Sequence, residues 1–333
     1  MIKKLFLLLA VALFALSACT ATATEEPATQ NQPAEQPAQD AAEQTEPAAA
    51  PVAENPVMTF TDDLGNTIEL TAYPQAIVSL SPSTTEILFA VGAGEQVVGR
   101  EEFSLYPEEA VAVPSVGSMW GGLPSEAILA LEPDLVVVAE IITPEQVQAL
   151  QDLGLQVYWQ ANPDDFAGLF ANLRVMAELT GHQAKAEALV SGLEARVNAV
   201  QEKIAPLSYA PIAFYELDAT DPANPWTAGS GTFIDYILNM AGGINAASEL
   251  QGDYIQISTE ALITANPDII LLADALYGVS PESVAERPGW DVIAAVQNGA
   301  IYPIDPNILS VPGPRLVDAL EAVAIILHPE VFE

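Results

Sequence analysis

Basic residues are scarce in this sequence, which has nine Lys and Arg against 45 Asp and Glu and a formal net charge of −36 over 333 residues. Binding to nucleic acid depends on Lys and Arg that neutralise phosphates, and docking on anionic lipid depends on clustered basic residues. The composition therefore argues against a nucleic-acid partner. Such an acidic surface is typical of a soluble, self-repelling protein, and we expect a monomer.

Metal-ligating and nucleophilic residues are equally scarce, because the only histidines are His182 and His328 and the only cysteine is Cys19. We interpret both histidines as solvent-facing, and no Cys or His pair at ligand spacing predicts a zinc site. In TAGSGT, residues 227–232, Ala228 replaces the glycine that a nucleophile elbow requires. No glycine-rich phosphate loop is followed by a lysine. We therefore predict no catalytic residue, no metal site, no cofactor and no enzymatic activity.

The N-terminus, MIKKLFLLLAVALFALSAC, has two lysines, an apolar run and then Leu-Ser-Ala-Cys. This order is typical of a secretory signal, and the run is too short for a comfortable transmembrane span. The ending resembles a bacterial lipobox, which implies a signal peptide over residues 1–18, cleavage before Cys19 and a lipid on its sulfur. The alternative is an ordinary signal peptide with a chance cysteine, although a lone thiol outside the cell would be a liability. We predict an extracytoplasmic protein that is lipid-anchored to the membrane.

Residues 19–55 contain, after the lipidated Cys19, mostly Ala, Thr, Glu, Gln and Pro, with no aromatic residue. Such a segment cannot bury enough surface to fold, and its prolines and acids keep it extended. We predict a disordered tether over residues 19–55 and a globular body from residue 56.

Strand and helix patterns alternate in the body, as in AIVSLS (76–81) followed by PSTTEILFAVGAG (82–94). Two helical patterns then occupy residues 164–204, and the second, HQAKAEALVSGLEARVNAVQEKI, spans roughly 35 Å, which is long enough to join two lobes. A second α/β pattern follows. We predict an α/β fold with two pseudo-equivalent lobes, residues 56–163 and 205–333, which have central, mostly parallel sheets and are joined by a single long helix.

One unit of the sequence occurs twice. SEAILALEPDLVVVAE covers Ser125–Glu140, and TEALITANPDIILLAD covers Thr259–Asp274, 134 positions later. Each copy predicts a helix, a Pro-Asp pair and a strand that ends in an acid. We expect Ser125 to cap the first helix, and Ser258 or Thr259 to cap the second.

An aromatic residue and a carboxylate repeat with this unit. Trp120 precedes Glu126 by six residues, and Tyr254 precedes Glu260 by six residues. Each carboxylate falls in the first turn of its predicted helix, where the helix dipole favours it. One interpretation is structural: each glutamate stabilises the first turn of its helix, and each ring packs in the core. Because the pattern occurs in both lobes, we weigh a functional role equally with this structural one.

Five stretches resemble one family in their order along the chain: IVSLSPSTTEILFAVGAGEQVVGR, SEAILALEPDLVVV, TAGSGTFIDYILNMAGG, STEALITANPDIILL and GPRLVDALEAV. Together they resemble the class of periplasmic binding proteins that serve ABC importers of cobalamin and ferric siderophores. The resemblance covers roughly residues 56–333. It implies two α/β lobes bridged by a long helix, with the ligand held in the cleft between them. It also implies that Glu126 and Glu260 dock onto arginines of the membrane permease subunits.

The same resemblance implies cleft residues. Trp120 and Tyr254 match cleft aromatics of cobalamin-binding members, and Phe103 matches a further one. Trp226 lies on an expected cleft loop. Among the basic residues of the body, only Arg100 and Arg287 have no place in the predicted linking or closing helices, and Arg100 is the candidate cation of the cleft. Aromatic faces suit a large, flat, partly apolar metal chelate.

The small number of basic residues in the body narrows the class of metal chelate that the cleft could bind. Anionic ferric siderophores and haem propionates require Arg or Lys, and most basic residues of the body fall in the predicted linking helices. Arg315 is expected to open the closing helix and to be held by an acid. A poorly basic cleft favours a cobalamin-like corrinoid slightly over a ferric hydroxamate, and catecholates fit badly. Residues 306–311 depart from cobalamin binders, which leaves the exact chelate open.

Two other classes of protein stay open at this point. A lipid-anchored surface hydrolase would need a nucleophile with a base, and the two histidines are poorly placed for that role. A structural surface lipoprotein would need neither paired cleft aromatics nor paired rim acids.

Overall fold

The computed structural model describes residues 57–332. The predicted signal peptide, residues 1–18, and the lipidated Cys19 with its tether, residues 19–55, lie outside the described residues. No helix within residues 57–332 has the length and apolarity needed to span a bilayer.

The first lobe is built on a five-stranded parallel sheet. Its elements are the hairpin β1 (Met58–Thr61) and β2 (Thr67–Leu70), and then β3 (Ile77–Ser79), α1 (Pro82–Val91), β4 (Val97–Glu101), β5 (Ser115–Gly117), α2 (Ser125–Leu129), β6 (Leu135–Ala139), α3 (Pro144–Asp152) and β7 (Val157–Gln160). The sheet order is β5-β4-β3-β6-β7, and every neighbouring pair is parallel. All five residues of β6 are buried, because helices cover both faces of such a sheet.

Helix α1 is capped at both ends. Ser81 Oγ accepts the N–H of Thr84 at 3.1 Å, and Pro82 is the first helical residue, where its fixed φ suits the helix. Gly92 ends the helix with φ 105°, a conformation that costs glycine little. These caps define the ends of the helix that carries Glu86.

Two helices, α4 (Phe166–Thr180) and α5 (Gln183–Ile204), follow the first sheet. Helix α5 has 22 residues, so it is about 33 Å long. Its buried residues recur every three or four positions, as helical packing requires: Ala186, Val190, Leu193, Val197 and Val200. The helix packs against α1 of the first lobe and against α11 (Leu316–Leu327) of the second.

The second lobe is built on a four-stranded parallel sheet. Besides α11, its elements are β8 (Ile212–Glu216), β9 (Trp226–Ala228), α6 (Phe233–Met240), β10 (Ile244–Asn245), β11 (Tyr254–Gln256), α7 (Thr259–Ala265), β12 (Ile269–Leu272), α8 (Pro281–Ala285), α9 (Ala294–Gln297), β13 (Ile301–Pro303), α10 (Pro306–Leu309) and α12 (Pro329–Phe332). The sheet order is β10-β8-β12-β13. Strands β9 and β11 form a separate antiparallel pair.

One apolar core runs through both lobes. Ile77 and Leu135 of the first sheet and Tyr215 and Leu271 of the second belong to the same buried cluster, which the linking helices complete. A smaller cluster backs the outer face of each sheet. The predicted α/β fold, with two lobes and one long joining helix, is confirmed.

Two local predictions are wrong. Ser125 is the first residue of α2 rather than its cap, and the cap position holds Pro124, which has no side-chain acceptor. His328 is buried rather than solvent-facing, because the end of α11 presses its ring against α6, with Nε2 3.2 Å from the carbonyl oxygen of Gly242. The prediction for the second unit holds, since Ser258 Oγ accepts the N–H of Ala261 at 3.2 Å.

Candidate functional site

A cleft of about 620 Å³ lies between the two lobes. Glu101, Phe103 and Trp120 line it from the first lobe, and Tyr277 and Arg315 line it from the second. Glu101 ends β4, and the turn that contains Tyr277 follows β12 directly. The cleft therefore lies at the carboxyl ends of parallel strands, where open α/β sheets place their ligands.

Trp120 and Phe103 are the exposed aromatic residues predicted for the first lobe. Trp120 lies in a single 3₁₀ turn in which Ser118 Oγ accepts its N–H at 3.1 Å, and Gly122 follows with φ 108°. This turn leaves Trp120 79% exposed, and Phe103 is 53% exposed. Covering apolar rings of this size with a ligand removes their surface from water and stabilises the complex. Both side chains therefore offer contact area to a flat ligand.

Tyr254 and Trp226 lie on the antiparallel pair of the second lobe, where Tyr254 pairs with Ala228 and Trp226 pairs with Gln256. Both rings are partly exposed, but neither belongs to the lining of the 620 Å³ cleft. Burial raises the pKa of the Tyr254 phenol, and the charges of Asp253 and Glu140 raise it further. The structure therefore does not bring these two predicted aromatics into the central part of the cleft.

Arg100 is not brought to the cleft. Its guanidinium is buried and donates to main-chain carbonyls, with Nε 2.9 Å from the oxygen of Ala110 and Nη1 3.0 Å from the oxygen of Glu102. These bonds close the loop that carries Phe103 over its own strand. Arg100 therefore shapes the cleft wall from behind, and its guanidinium does not face the ligand position.

Arg315 is the cation that the structure places at the cleft. As the sequence predicts, it precedes the closing helix and an acid holds it. That acid is Glu86 of α1, whose oxygens accept the Arg315 main-chain N–H at 3.1 Å and its Nε at 2.8 Å. The guanidinium also stacks on the ring of Tyr106, 3.8 Å from the ring centroid. An ion pair and a stacked ring therefore join the two lobes beside the cleft.

Sequence reasoning missed Glu86, Glu101, Tyr106 and Tyr277 as cleft residues. Tyr106 belongs to EEFSLYP, the stretch that yielded Phe103, so a neighbouring aromatic was available as a signal. No local pattern marks Glu86, because its partner is 229 residues away.

The two predicted docking glutamates occupy equivalent places. Glu126 lies in the first turn of α2 and Glu260 in the first turn of α7, and both side chains are exposed. Helix α2 starts just beyond the turn that holds Trp120, and α7 starts just beyond the strand that holds Tyr254. Each lobe thus presents a carboxylate on its surface close to a predicted cleft aromatic.

Comparison with known proteins agrees with this geometry. A family model described as "Periplasmic binding protein" matches residues 77–308. The chain is 31% identical over 279 residues to the Uncharacterized ABC transporter substrate-binding lipoprotein YvrC of Bacillus subtilis, covering 83% of this chain and 87% of that protein. It is 28% identical over 277 residues to the Cobalamin-binding protein of Halobacterium salinarum, covering 80% and 73%.

A solved structure gives the same result. The apo periplasmic heme-binding protein RhuT from Roseiflexus superposes with a TM-score of 0.69 at 29% identity, covering 77% of this chain and 98% of that one. The chain belongs to the periplasmic binding protein family. Members of this family are extracytoplasmic, non-enzymatic components of transport, so the hydrolase alternative is wrong.

Proposed function

We propose that this protein is the substrate-binding lipoprotein of an ABC importer and that it carries a metal chelate in the cleft between its lobes. The observation that supports this most directly is the interlobe cleft, in which exposed Trp120 and Phe103 face Tyr277 across the gap. Aromatic faces on both walls suit a flat chelate that is partly apolar.

The charges of the cleft support a corrinoid ahead of a ferric hydroxamate. Within residues 57–332, Arg315 is the one Lys or Arg in the cleft lining, and its charge is already matched by Glu86. Haem propionates and catecholates would require unmatched cations. A corrinoid brings amide groups and an apolar ring without a net negative charge that must be paired.

The names of the relatives support the same function. The Bacillus protein is named as an ABC transporter substrate-binding lipoprotein and the Halobacterium protein as cobalamin-binding. The Roseiflexus structure is a heme-binding protein, so haem is the competing ligand that an experiment has to separate.

Attachment and delivery complete the proposal. We take residues 1–18 as the signal peptide, Cys19 as the lipidated residue and residues 19–55 as the tether that leaves the body mobile at the membrane surface. Glu126 and Glu260 would then pair with arginines of the permease, one from each lobe, with the cleft facing the pathway.

Ligand titration of the purified full chain tests this function. Cyanocobalamin, a ferric hydroxamate and haem are titrated separately by isothermal calorimetry, and tryptophan quenching is corrected for ligand absorbance. We expect saturable binding of cyanocobalamin that weakens about tenfold in Trp120→Ala, because the variant loses both the buried area of the ring and about 0.5–1.5 kcal/mol of stacking, and about 1.4 kcal/mol corresponds to tenfold. The matched control is Tyr209→Ala, which removes an exposed ring that does not line the cleft.

The outcomes divide the ligand classes. Binding of the hydroxamate alone keeps the transport function and changes the cargo, and preferential binding of haem contradicts the charge argument. Equal affinity in Trp120→Ala and in the natural chain would show that the ligand lies elsewhere.

A further inference from the structure

The carboxylates of the cleft outnumber its cations. Glu86 and Glu101 both line the cleft and both are almost fully buried, at 2% and 3% exposure. Arg315 is the one cation among the lining residues of the described chain. Two carboxylates against one guanidinium leave an excess of one negative charge before any ligand enters.

Glu86 matches the charge of Arg315 completely. Besides its main-chain N–H and Nε, Arg315 places Nη2 2.8 Å from Glu86 Oε2. A side chain at Gly313 would put its Cβ 2.8 Å from Glu86 Oε1, so a glycine there allows the carboxylate to approach. With Nε and Nη2 directed at Glu86 and its face on Tyr106, Arg315 keeps few donors for an anion.

Glu101 supplies the excess charge. Its Oε2 accepts the N–H of Phe103 at 2.8 Å, which holds the carboxylate beneath an exposed cleft ring. Burial raises the pKa of this carboxyl, the N–H of Phe103 is the main group that opposes the shift, and the charge of Arg100 opposes it less. The neighbouring guanidinium of Arg100 donates to main-chain carbonyls and does not pair with Glu101.

We propose that Glu86 and Glu101 are specificity-determining residues that form a charge filter, which admits neutral and cationic chelates to the cleft and rejects anionic ones. This inference rests on the proposed function and adds a selection rule to it. An anionic group placed in the cleft would lose its hydration without gaining a cation, and it would be repelled by Glu101 in a medium less polar than water. Discrimination of this kind comes from the cost imposed on the wrong ligand.

Three corrinoids that share one ring and one axial ligand test the filter: neutral cyanocobalamin, its anionic monocarboxylic acid and its cationic aminoalkyl amide. Affinities are measured by calorimetry on the full chain. We expect the natural chain to bind the anion about tenfold or more weakly than the neutral form and the cation at least as tightly as the neutral form. In Glu101→Gln and Glu86→Gln, the anion should come within about threefold of the neutral form.

Glu108→Gln is the matched control, because it removes the same charge from an exposed position outside the cleft lining. It should leave the ratio of affinities unchanged. If Glu86→Gln fails to fold because Arg315 loses its partner, Glu101→Gln carries the test alone. Equal binding of anionic and neutral corrinoids by the natural chain, or a ratio that neither variant moves, overturns the filter.

A failure of the proposed ligand class gives a different result from a failure of the filter. If the natural chain binds no corrinoid, the corrinoid assignment fails, and haem becomes the probe of the filter through its two propionates. Haem binding gained in Glu101→Gln and absent in Glu108→Gln then supports the filter, and equal haem binding in the natural chain and both variants overturns it.

Discussion

The repeated unit has the same order of elements in both lobes. In the first lobe, α2 is followed by Glu132 with φ 47° and then by β6; in the second, α7 is followed by Asn266 with φ 46° and then by β12. The two left-handed residues are 134 positions apart, the same offset as the units themselves. Left-handed backbone is uncommon outside glycine, so its recurrence shows that the units are equivalent in three dimensions.

The Pro-Asp pair of the unit serves the sheet. Asp134 accepts the main-chain N–H groups of Gln75 at 2.8 Å and Ala76 at 3.1 Å, just before β3. Asp268 accepts the N–H of Ile212 at 2.9 Å, where β8 begins. In each lobe the aspartate therefore ties the start of one strand to the start of its neighbour.

The units differ at their last acid. Glu140 of the first lobe is exposed and accepts the N–H of Asn162 at 3.1 Å. Asp274 of the second is buried beside Glu216, which pairs with Arg287 through two bonds of 2.5 and 2.8 Å. The comparison shows that a sequence pattern can form the same elements twice while equivalent positions differ, one exposed and the other buried.

The most damaging test of this difference is Arg287→Met. It leaves Glu216 buried without a cation, and we expect the free energy of unfolding to fall by about 3–5 kcal/mol. Urea denaturation measures the loss. The control is Arg174→Met, which breaks an exposed pair with Glu187 and should cost no more than about 1 kcal/mol. Similar losses in the two variants would contradict a special role for the buried pair.

The glutamates that occupy equivalent positions in the two units, Glu126 and Glu260, should give the next largest effect, which is on uptake. Glu126→Ala with Glu260→Ala should leave the affinity for the ligand unchanged and reduce uptake about tenfold or more, because truncated rim charges weaken docking. Uptake in whole cells and calorimetry on the same variant separate the two effects. Each single variant should lose a similar part, since the lobes present equivalent carboxylates. Normal uptake by the double variant argues that docking uses another surface.

The shared aspartates should give nearly equal, smaller losses. Asp134→Ala leaves two main-chain N–H groups without their acceptor and Asp268→Ala leaves one, and each should lower the free energy of unfolding by about 1 kcal/mol. Urea denaturation of both variants under one condition checks this. A loss confined to one lobe would show that the repeat is equivalent in shape but unequal in energy.

The smallest predicted effect is a dependence on pH. Burial raises the pKa of Asp274 above its unfolded value of 3.8, so the folded chain binds more protons and stability falls as pH rises through and above that value. Asp274→Asn keeps an acceptor for the N–H of Ala219 and should make the decline shallower. Glu140→Gln, the equivalent position of the first lobe, is the charge-matched reference. If the pH dependence of stability is unchanged in Asp274→Asn, Asp274 is not the group that causes the decline.

The sequence predicted the features that depend on residues close to one another along the chain. Helix α1, the long α5 and the helix and strand of both repeated units followed from periodicity, and the cap of the second unit followed from Ser258. The pairing of β9 with β11 was missed because each strand has only three residues. Arg100 was misplaced because its carbonyl partners belong to a loop whose path no periodicity fixes. The pairing of Glu86 with Arg315 was not predicted from the sequence, because only the finished fold brings the two residues together.

The contact between Glu86 and Arg315 also orders the assembly of the molecule. Domains made during synthesis fold from the N-terminus, and contacts between residues 229 positions apart form late. If the N-terminal lobe folds first, it encloses Glu86 before Arg315 is present to pair with it. Arg315 arrives with the closing helix, when most of both lobes exists. The cleft is finished last, so an incomplete chain cannot present a complete ligand-binding surface to the importer.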